Sequence, residues 1–326
     1  MSISVTLPPN SAPQDQILFQ TLRESFFTHG TKPSSPKFTF FLAQPGSGKT
    51  TCRKMIAKDH PKGELLFEGD GDAMGELHPD YTPLYKNPFM DQRPIRKKMN
   101  ALCRRLTIEA VMRRAHIVTE GAKWSPYVQM PFCGVIQILG YTVGASCIAL
   151  NWRKSLFGII NRFEEAKAAG TPARWVSVDY HNALYQGLSS SLDRLEYTCK
   201  SPVSVYRRGQ EPFALSPIES HNRKVSEILL DEQNRLWSRE EKRDHLEQVT
   251  NLYDRVNSVT QDRPTWYLGL VGTFLKQAEL LVQGKESDAL SIAAMNELAA
   301  YDPETMVNGR RNTTHWQAKP TPSISY

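Results

Sequence analysis

Ala43-Gln44-Pro45-Gly46-Ser47-Gly48-Lys49-Thr50-Thr51 is the stretch on which the fold turns. It follows Phe38-Thr39-Phe40-Phe41-Leu42, an apolar, aromatic run of strand length, and precedes Cys52-Arg53-Lys54-Met55-Ile56-Ala57-Lys58, which reads as a helix. Strand, glycine-rich turn ending in Gly-Lys-Thr, then helix is the context in which such a turn cradles phosphates. Successive backbone N–H groups from Gly46 to Thr50 converge at a helix N-terminus, where the dipole favours an anion. The candidate ATP-binding residues are therefore Gln44, Pro45, Gly46, Ser47, Gly48, Lys49, Thr50 and Thr51. Lys49 is expected at the β/γ-phosphates, and the Thr50 hydroxyl on Mg²⁺. The usual first glycine of the pattern is Ala43 here, which a strand end tolerates if its φ stays negative.

Working outward, the 326 residues have room for one large domain or a domain with an appendage. No apolar run approaches the length of a membrane span, and residues 1–20 lack the basic start and apolar middle of a secretory signal. Cys52, Cys103, Cys133, Cys147 and Cys199 are odd in number and widely spaced. They form neither a disulfide framework nor a zinc pattern, which points to a reducing, cytoplasmic setting. A net charge of +6 suits an enzyme that handles anions but is ordinary for a solvated surface, so it adds little to a case for nucleic acid.

Residues 1–36 read as a peripheral but packed N-terminal arm, with a candidate helix over 15–29 and a flexible, proline-rich linker. Residues 37–209 alternate strand-like and helix-like segments and form the expected core. Glu64 to Asp72 reads as a second strand running into an acidic, glycine-containing turn. That places Asp70 and Asp72 at the C-terminal edge of the sheet, where α/β sheets bind ligands. Two carboxylates there suit polarising a substrate hydroxyl and orienting Mg²⁺. His78-Pro79-Asp80-Tyr81 follows as a turn.

Arg93 to Ala115 has helical periodicity, with Ile95, Met99, Leu102, Leu106 and Ile108 inward. Its arginines and lysines form a solvated face, since no aromatic residues interleave them for base stacking. His116 to Gly121 is a third strand that ends with Glu120 and Gly121 at the same edge. A helix over 130–138, a strand over 141–150, helices over 152–170 and 177–200 and a strand over 203–206 complete the core. Arg162 on one helix and Arg174 in the loop after it are candidates for stabilising a transferring phosphoryl group, because a guanidinium fork matches its equatorial oxygens. His181 reads as a packed or capping histidine rather than a catalytic base. Residues 210–326 show no strands and form a helical C-terminal region, with helices over 235–256, 265–283 and 288–300.

Together these motifs resemble the zeta toxin family, phosphate-loop kinases of bacterial toxin–antitoxin systems. The resemblance runs over residues 37–256. It rests on Gln44-Pro45-Gly46-Ser47-Gly48-Lys49-Thr50, on Asp70-x-Asp72 with His78-Pro79, on Thr119-Glu120-Gly121, on Arg162 and Arg174, and on Asn234-Arg235-Leu236-Trp237-Ser238-Arg239-Glu240-Glu241. It implies a parallel α/β sheet of kinase type flanked by helices, with a helical C-terminal extension. It implies Asp72 as catalytic base, Lys49, Arg162 and Arg174 on the phosphates, and Asp70, Asp72, His78, Glu120 and Gly121 about the acceptor. It further implies a nucleotide-type acceptor such as UDP-N-acetylglucosamine, phosphorylated at its 3′-hydroxyl, and an antitoxin protein over the ATP cleft. The family's Glu-Gly-Thr is Glu120-Gly121-Ala122 here, and an acid of the preceding helix has only Glu109 near it. Other acceptors therefore stand beside the first: a dinucleotide such as NAD, or a polynucleotide 5′-end. A non-catalytic nucleotide-binding protein is the remaining alternative. The expected setting is cytoplasmic, with delivery into a host or target cell as the variant.

Overall fold

Apolar side chains on both faces put residues 37–42 at the centre of a sheet. The computed structural model describes residues 13–78, 89, 93–120, 126–171, 173–215, 223–259, 263–287 and 291–301. In it Lys37–Leu42 forms β1, which sends Phe38, Phe40 and Leu42 into one hydrophobic layer and Phe41 into the other. A strand buried on both faces belongs inside a parallel sheet. β1 pairs in parallel with β3 (His116–Glu120) on one side and β4 (Thr142–Ile148) on the other. β2 (Leu66–Gly69) lies parallel to β3, and β5 (Val203–Tyr206) parallel to β4. With β6 (Pro212–Leu215) the order is β2-β3-β1-β4-β5-β6. The neighbours of β1 lead to opposite sides of the sheet, so its C-terminal end opens into the crevice where such sheets take ligands.

β6 corrects the expectation that no strand follows Gln210. It pairs antiparallel with β5. Four half-exposed residues beginning with proline carry no alternation to read, and pairing with β5 rather than local pattern makes them a strand at the edge, where proline is tolerated.

One layer of the core joins Phe38 and Phe40 to Leu102 and Leu106 of the Arg93–Arg113 helix, Cys133 and Ile136 of the Pro126–Ile138 helix, and Leu188 and Leu192 of the Val178–Asp193 helix. The opposite layer packs Cys52 and Ile56 of the Lys49–Lys58 helix on Phe41, Val118 and Ile148. Ile108, expected inward, is 53% exposed; the buried stripe runs from Leu106 to Glu109 and Ala110 instead. The reading of one helix to Lys200 is also corrected, since a π-helical turn at Arg194–Thr198 ends it.

The arm packs on the core, as expected. Its Pro13–Phe26 helix buries Leu18, Phe19 and Leu22 in the main core. Arg23 donates to Glu109 from Nε at 3.1 Å and Nη2 at 3.0 Å, and Arg113 pairs with the same carboxylate. The supposed flexible linker hydrogen-bonds along the chain leading into β2: Thr31 N to Gly63 O at 2.8 Å, Leu65 N to Thr31 O at 2.8 Å, and Thr28 N to Leu66 O at 2.9 Å. An edge strand exposes unpaired backbone groups, and this segment satisfies them.

By its internal contacts the chain divides into two units. The first holds the sheet. In the second, the Arg239–Asn257 and Thr265–Val282 helices pack together and Ile292–Ala299 packs on the latter, burying Leu252, Phe274, Leu281 and Leu298. The helix expected from Arg235 starts at Arg239. Among the described residues no helix is long and apolar enough to cross a membrane.

Candidate active site

The loop after β1 takes the shape its glycines allow. Gly46 has φ 76° and Gly48 φ 90°, so two left-handed residues alternate with ordinary backbone and turn successive amides to one side. Gly48 is the N-cap of the Lys49–Lys58 helix and brings no side-chain acceptor to its first-turn amides, which suits an anion. The loop is braced from within: Ser47 Oγ donates to Gln44 O at 2.7 Å, and Gln44 Nε2 donates to Leu150 O, just past β4, at 3.0 Å. Gln44 and Ser47 are fully buried, whereas Thr50 and Thr51 are exposed on the helix's first turn.

The loop also rests on the Trp152–Ala168 helix. A Cβ on Gly158 would lie 2.5 Å from Gly46 O, and one on Gly46 would lie 1.9 Å from Ser155 O. Backbone therefore meets backbone, which only glycine at both positions permits. Ser155 is held in turn by His181, whose Nε2 lies 2.8 Å from Ser155 Oγ and whose Nδ1 lies 3.0 Å from Asn182 Oδ1. His181 is completely buried, and that burial lowers its pKa to about 4, so it is a neutral strut. The packed-histidine reading holds.

Three acids meet two bases at the C-terminal edge of β2, β3 and β1. Lys49 Nζ lies 3.2 Å from Glu120 Oε2. One helical turn further on, Arg53 points the same way. Its Nη1 lies 3.1 Å from Glu120 Oε1 and also pairs with Asp70, and its Nε lies 3.1 Å from Glu68 Oε2. Arg53 is 7% exposed. Burial opposes its charge, but Asp70, Glu120 and Glu68 outweigh that and raise its pKa above the ordinary arginine value. Sequence reading missed Arg53; its spacing of four from Lys49 on one helix was the available signal.

The expected acidic turn is a helix, Gly71–Glu76, and this corrects the reading of Gly69 to Asp72. Asp70 is its cap, with Oδ1 accepting from Ala73 N at 3.0 Å while Oδ2 faces Arg53. Aspartate before a first turn nucleates a helix by satisfying an orphan amide, a role that also fits an Asp-Gly turn. The Asp72 backbone lies on the second residue of this helix, at the edge where Glu120 ends β3; its side chain lies outside the described residues. So do Gly121, Ala122, Pro79, Asp80 and Tyr81. His78 is buried, with its N–H on Gly75 O at 2.9 Å. Glu109, the acid nearest a possible substrate contact, is fully buried and held by Arg23 and Arg113.

Arg162 is exposed on the Trp152–Ala168 helix, one turn beyond the Gly158 contact with the loop. Arg174 is half-buried in the segment after that helix. The rings of Phe163 and Trp175 are 5.6 Å apart, so the residues next to both arginines are in contact. That aromatic pair brings together the two backbone segments that carry Arg162 and Arg174, twelve positions apart in sequence.

A parallel sheet with a phosphate loop after its central strand, acids at the same edge and helices on both faces defines a phosphate-loop protein of the kinase type. The zeta toxin family matches residues 23–216, more than half of the chain, and the chain belongs to that family. Toxin zeta of Streptococcus pyogenes and toxin zeta of Enterococcus hirae are each 26% identical to it over 222 residues, 66% of this chain and 75% of the relative. A solved structure from the PezAT chromosomal toxin–antitoxin system of Streptococcus pneumoniae shares the fold, with a TM-score of 0.62 at 19% identity, covering 78% of this chain and 100% of that one.

Proposed function

We propose that this chain is an ATP-dependent kinase of zeta-toxin type that phosphorylates a hydroxyl of a nucleotide-type small molecule. The observation that carries the reading is the left-handed pair Gly46 and Gly48 at an uncapped helix N-terminus, with Lys49 3.2 Å from Glu120 at one sheet edge. Amides and an ammonium group that suit a triphosphate thus stand beside a carboxylate that suits an acceptor. Phosphoryl transfer is mainly positioning and charge stabilisation, so such a juxtaposition is what the chemistry needs.

In this reading the loop amides and Lys49 hold the β- and γ-phosphates of ATP. The Thr50 hydroxyl, exposed on the first turn of the helix, would hold Mg²⁺, which would supply charge stabilisation to the phosphates. Asp72 takes the proton from the acceptor hydroxyl, and Glu120 places the acceptor. Arg162 and Arg174 spread over the charge of the moving phosphoryl group. Arg53 keeps Glu120 and Asp70 fixed and balances their charge.

The 3′-hydroxyl of UDP-N-acetylglucosamine is the acceptor the family resemblance favours. Ala122 in place of the family's threonine removes a hydroxyl from that subsite, which keeps a dinucleotide such as NAD as the second reading. A toxin of this kind is held in check by an antitoxin protein covering the ATP cleft. In the division of labour we propose, the sheet-bearing unit does the chemistry, and the helical C-terminal region adds to it without supplying phosphate contacts.

The test is incubation with ATP, Mg²⁺ and UDP-N-acetylglucosamine or NAD, read by mass spectrometry as a gain of one phosphate. Transfer that disappears in both Asp72→Asn and Lys49→Ala supports the reading. Undiminished transfer by Asp72→Asn would eliminate the proposed base, and absence of ATP binding by the intact chain would end the kinase assignment.

A further inference from the structure

Two adjacent arginines follow β5, and the structure treats them differently. Arg207 is committed: its Nη2 lies 2.8 Å from Glu232 Oε2, and its guanidinium lies over the Phe213 ring, 4.4 Å from the centroid. Arg208 lies against Gly48 of the phosphate loop. A Cβ placed on Gly48 would come within 3.1 Å of Arg208 Nε, 3.2 Å of its Cγ and 3.6 Å of its Cδ. The whole side chain, not only its tip, is laid along the glycine that caps the Lys49–Lys58 helix.

Among the described residues no carboxylate pairs with Arg208. A guanidinium carries five N–H donors and keeps its charge at any working pH. Here it is held beside a helix N-terminus, whose partial positive charge repels it. Lys49, the next residue after Gly48, adds a second cation. Glu120 offsets the Lys49 charge, but among the described residues no such carboxylate offsets Arg208 beside the helix N-terminus, and a polyphosphate lying on the Gly48 amide would do so. The contact also gives Gly48 a second reason to be glycine, since a side chain there would displace Arg208 as well as strain the backbone.

Resting on the reading of the loop as an ATP site, we propose that Arg208 grips the polyphosphate of the nucleotide from the outer side of Gly48. It would act with Arg162 and Arg174, which come from a different part of the fold, and it would hold the nucleotide rather than the transferring group. Its flat fork suits two phosphate oxygens at once, which a lysine ammonium does not reproduce.

The experiment measures ATP affinity in the presence of Mg²⁺, by calorimetry, for the full chain and four variants. Arg208→Ala is expected to weaken ATP at least tenfold. Arg208→Gln, planar but uncharged, should be as weak as the alanine variant, and Arg208→Lys should recover part of the loss. Arg207→Ala should bind as the unaltered chain does, because Arg207 is occupied by Glu232 and Phe213. Unchanged affinity in Arg208→Ala overturns the proposal. So does full affinity in Arg208→Gln with loss in Arg208→Lys, which would mean stacking on the base. Lys49→Ala separates the two levels of the argument. If it binds ATP normally, the loop is not the nucleotide site; if it loses binding while Arg208→Ala does not, only the role of Arg208 falls. Arg208 is exposed, so its variants should fold, and an unshifted thermal midpoint verifies that.

Discussion

Lys49 Nζ and Glu120 Oε2 are 3.2 Å apart, so the lysine expected on ATP phosphates and the acid expected at the acceptor are ion-paired with each other. Parallel pairing explains the meeting. Glu120 ends β3 opposite Phe41 of β1, and Lys49 begins the helix after the loop that leaves β1. A phosphate arriving at Lys49 competes with Glu120 for it.

Glu120→Gln should therefore tighten ATP binding while phosphoryl transfer falls. The pair is partly solvated, so the gain is modest, about 1 kcal/mol or roughly fivefold in Kd. Titration with a non-hydrolysable ATP analogue reads it directly. Weaker binding by the glutamine variant would show that Glu120 helps the nucleotide rather than competing with it.

Arg53 pairs with Glu68, Asp70 and Glu120 from a nearly buried position. Arg53→Ala leaves Glu68 and Asp70 without their cation and Glu120 with Lys49 alone, and the loss of folding stability should be about 3 kcal/mol or more. Arg53→Lys keeps a charge but reaches fewer oxygens, so urea denaturation should place it between the two. Equal stability of Arg53→Lys and the unaltered chain would mean the fork geometry is unimportant.

Gly158→Ala tests the contact beneath the phosphate loop. Alanine favours a helix over glycine by about 1 kcal/mol. Its methyl would nevertheless stand 2.5 Å from Gly46 O, so the loop must shift. The expected result is ATP binding weakened at least tenfold by a residue assigned no contact with ATP. Normal ATP affinity with raised stability would show that the loop yields without losing its shape.

His60 and His181 both have pKa values lowered to about 4, chiefly by burial. Unfolded histidine titrates near 6.5, so between about pH 6.5 and 4 the unfolded chain binds more protons than the folded one. Stability from these groups is present above that window and falls as pH drops through it, by up to about 1.4 kcal/mol per pH unit for each histidine. His60 packs on His116 with ring centroids 4.5 Å apart and planes tilted by 34°, and neither of its ring nitrogens has a hydrogen-bond partner. His60→Phe should keep the ring contact and remove about half of the two histidines' contribution to the stability–pH slope across pH 4–6.5. An unaltered slope in chemical denaturation would remove His60 from the explanation.

Much of the fold was legible because its signals are local. Five parallel strands announced themselves as apolar runs followed by turns, and the Gly46-Ser47-Gly48-Lys49-Thr50 turn between strand and helix was readable before any packing was known. β6 was not legible, because its four residues are strand only by virtue of β5 beside them. Nor was the short helix at Gly71–Glu76, where an aspartate followed by glycine serves equally as a turn or a cap and the Arg53 contact accompanies the cap.

The sequence by itself determined that a glycine-rich turn of phosphate-loop pattern joins a buried strand to a helix, because backbone sterics and burial pattern are properties of a dozen consecutive residues. Only the tertiary structure decided which acids share that edge with Lys49, that Arg53 binds three of them, that Gly158 backs the loop and that Arg208 lies against it. Those relations join residues tens to more than a hundred positions apart. Chain order carries no record of such distances; they exist once β1, β3 and β4 pair in register and the helices close over them.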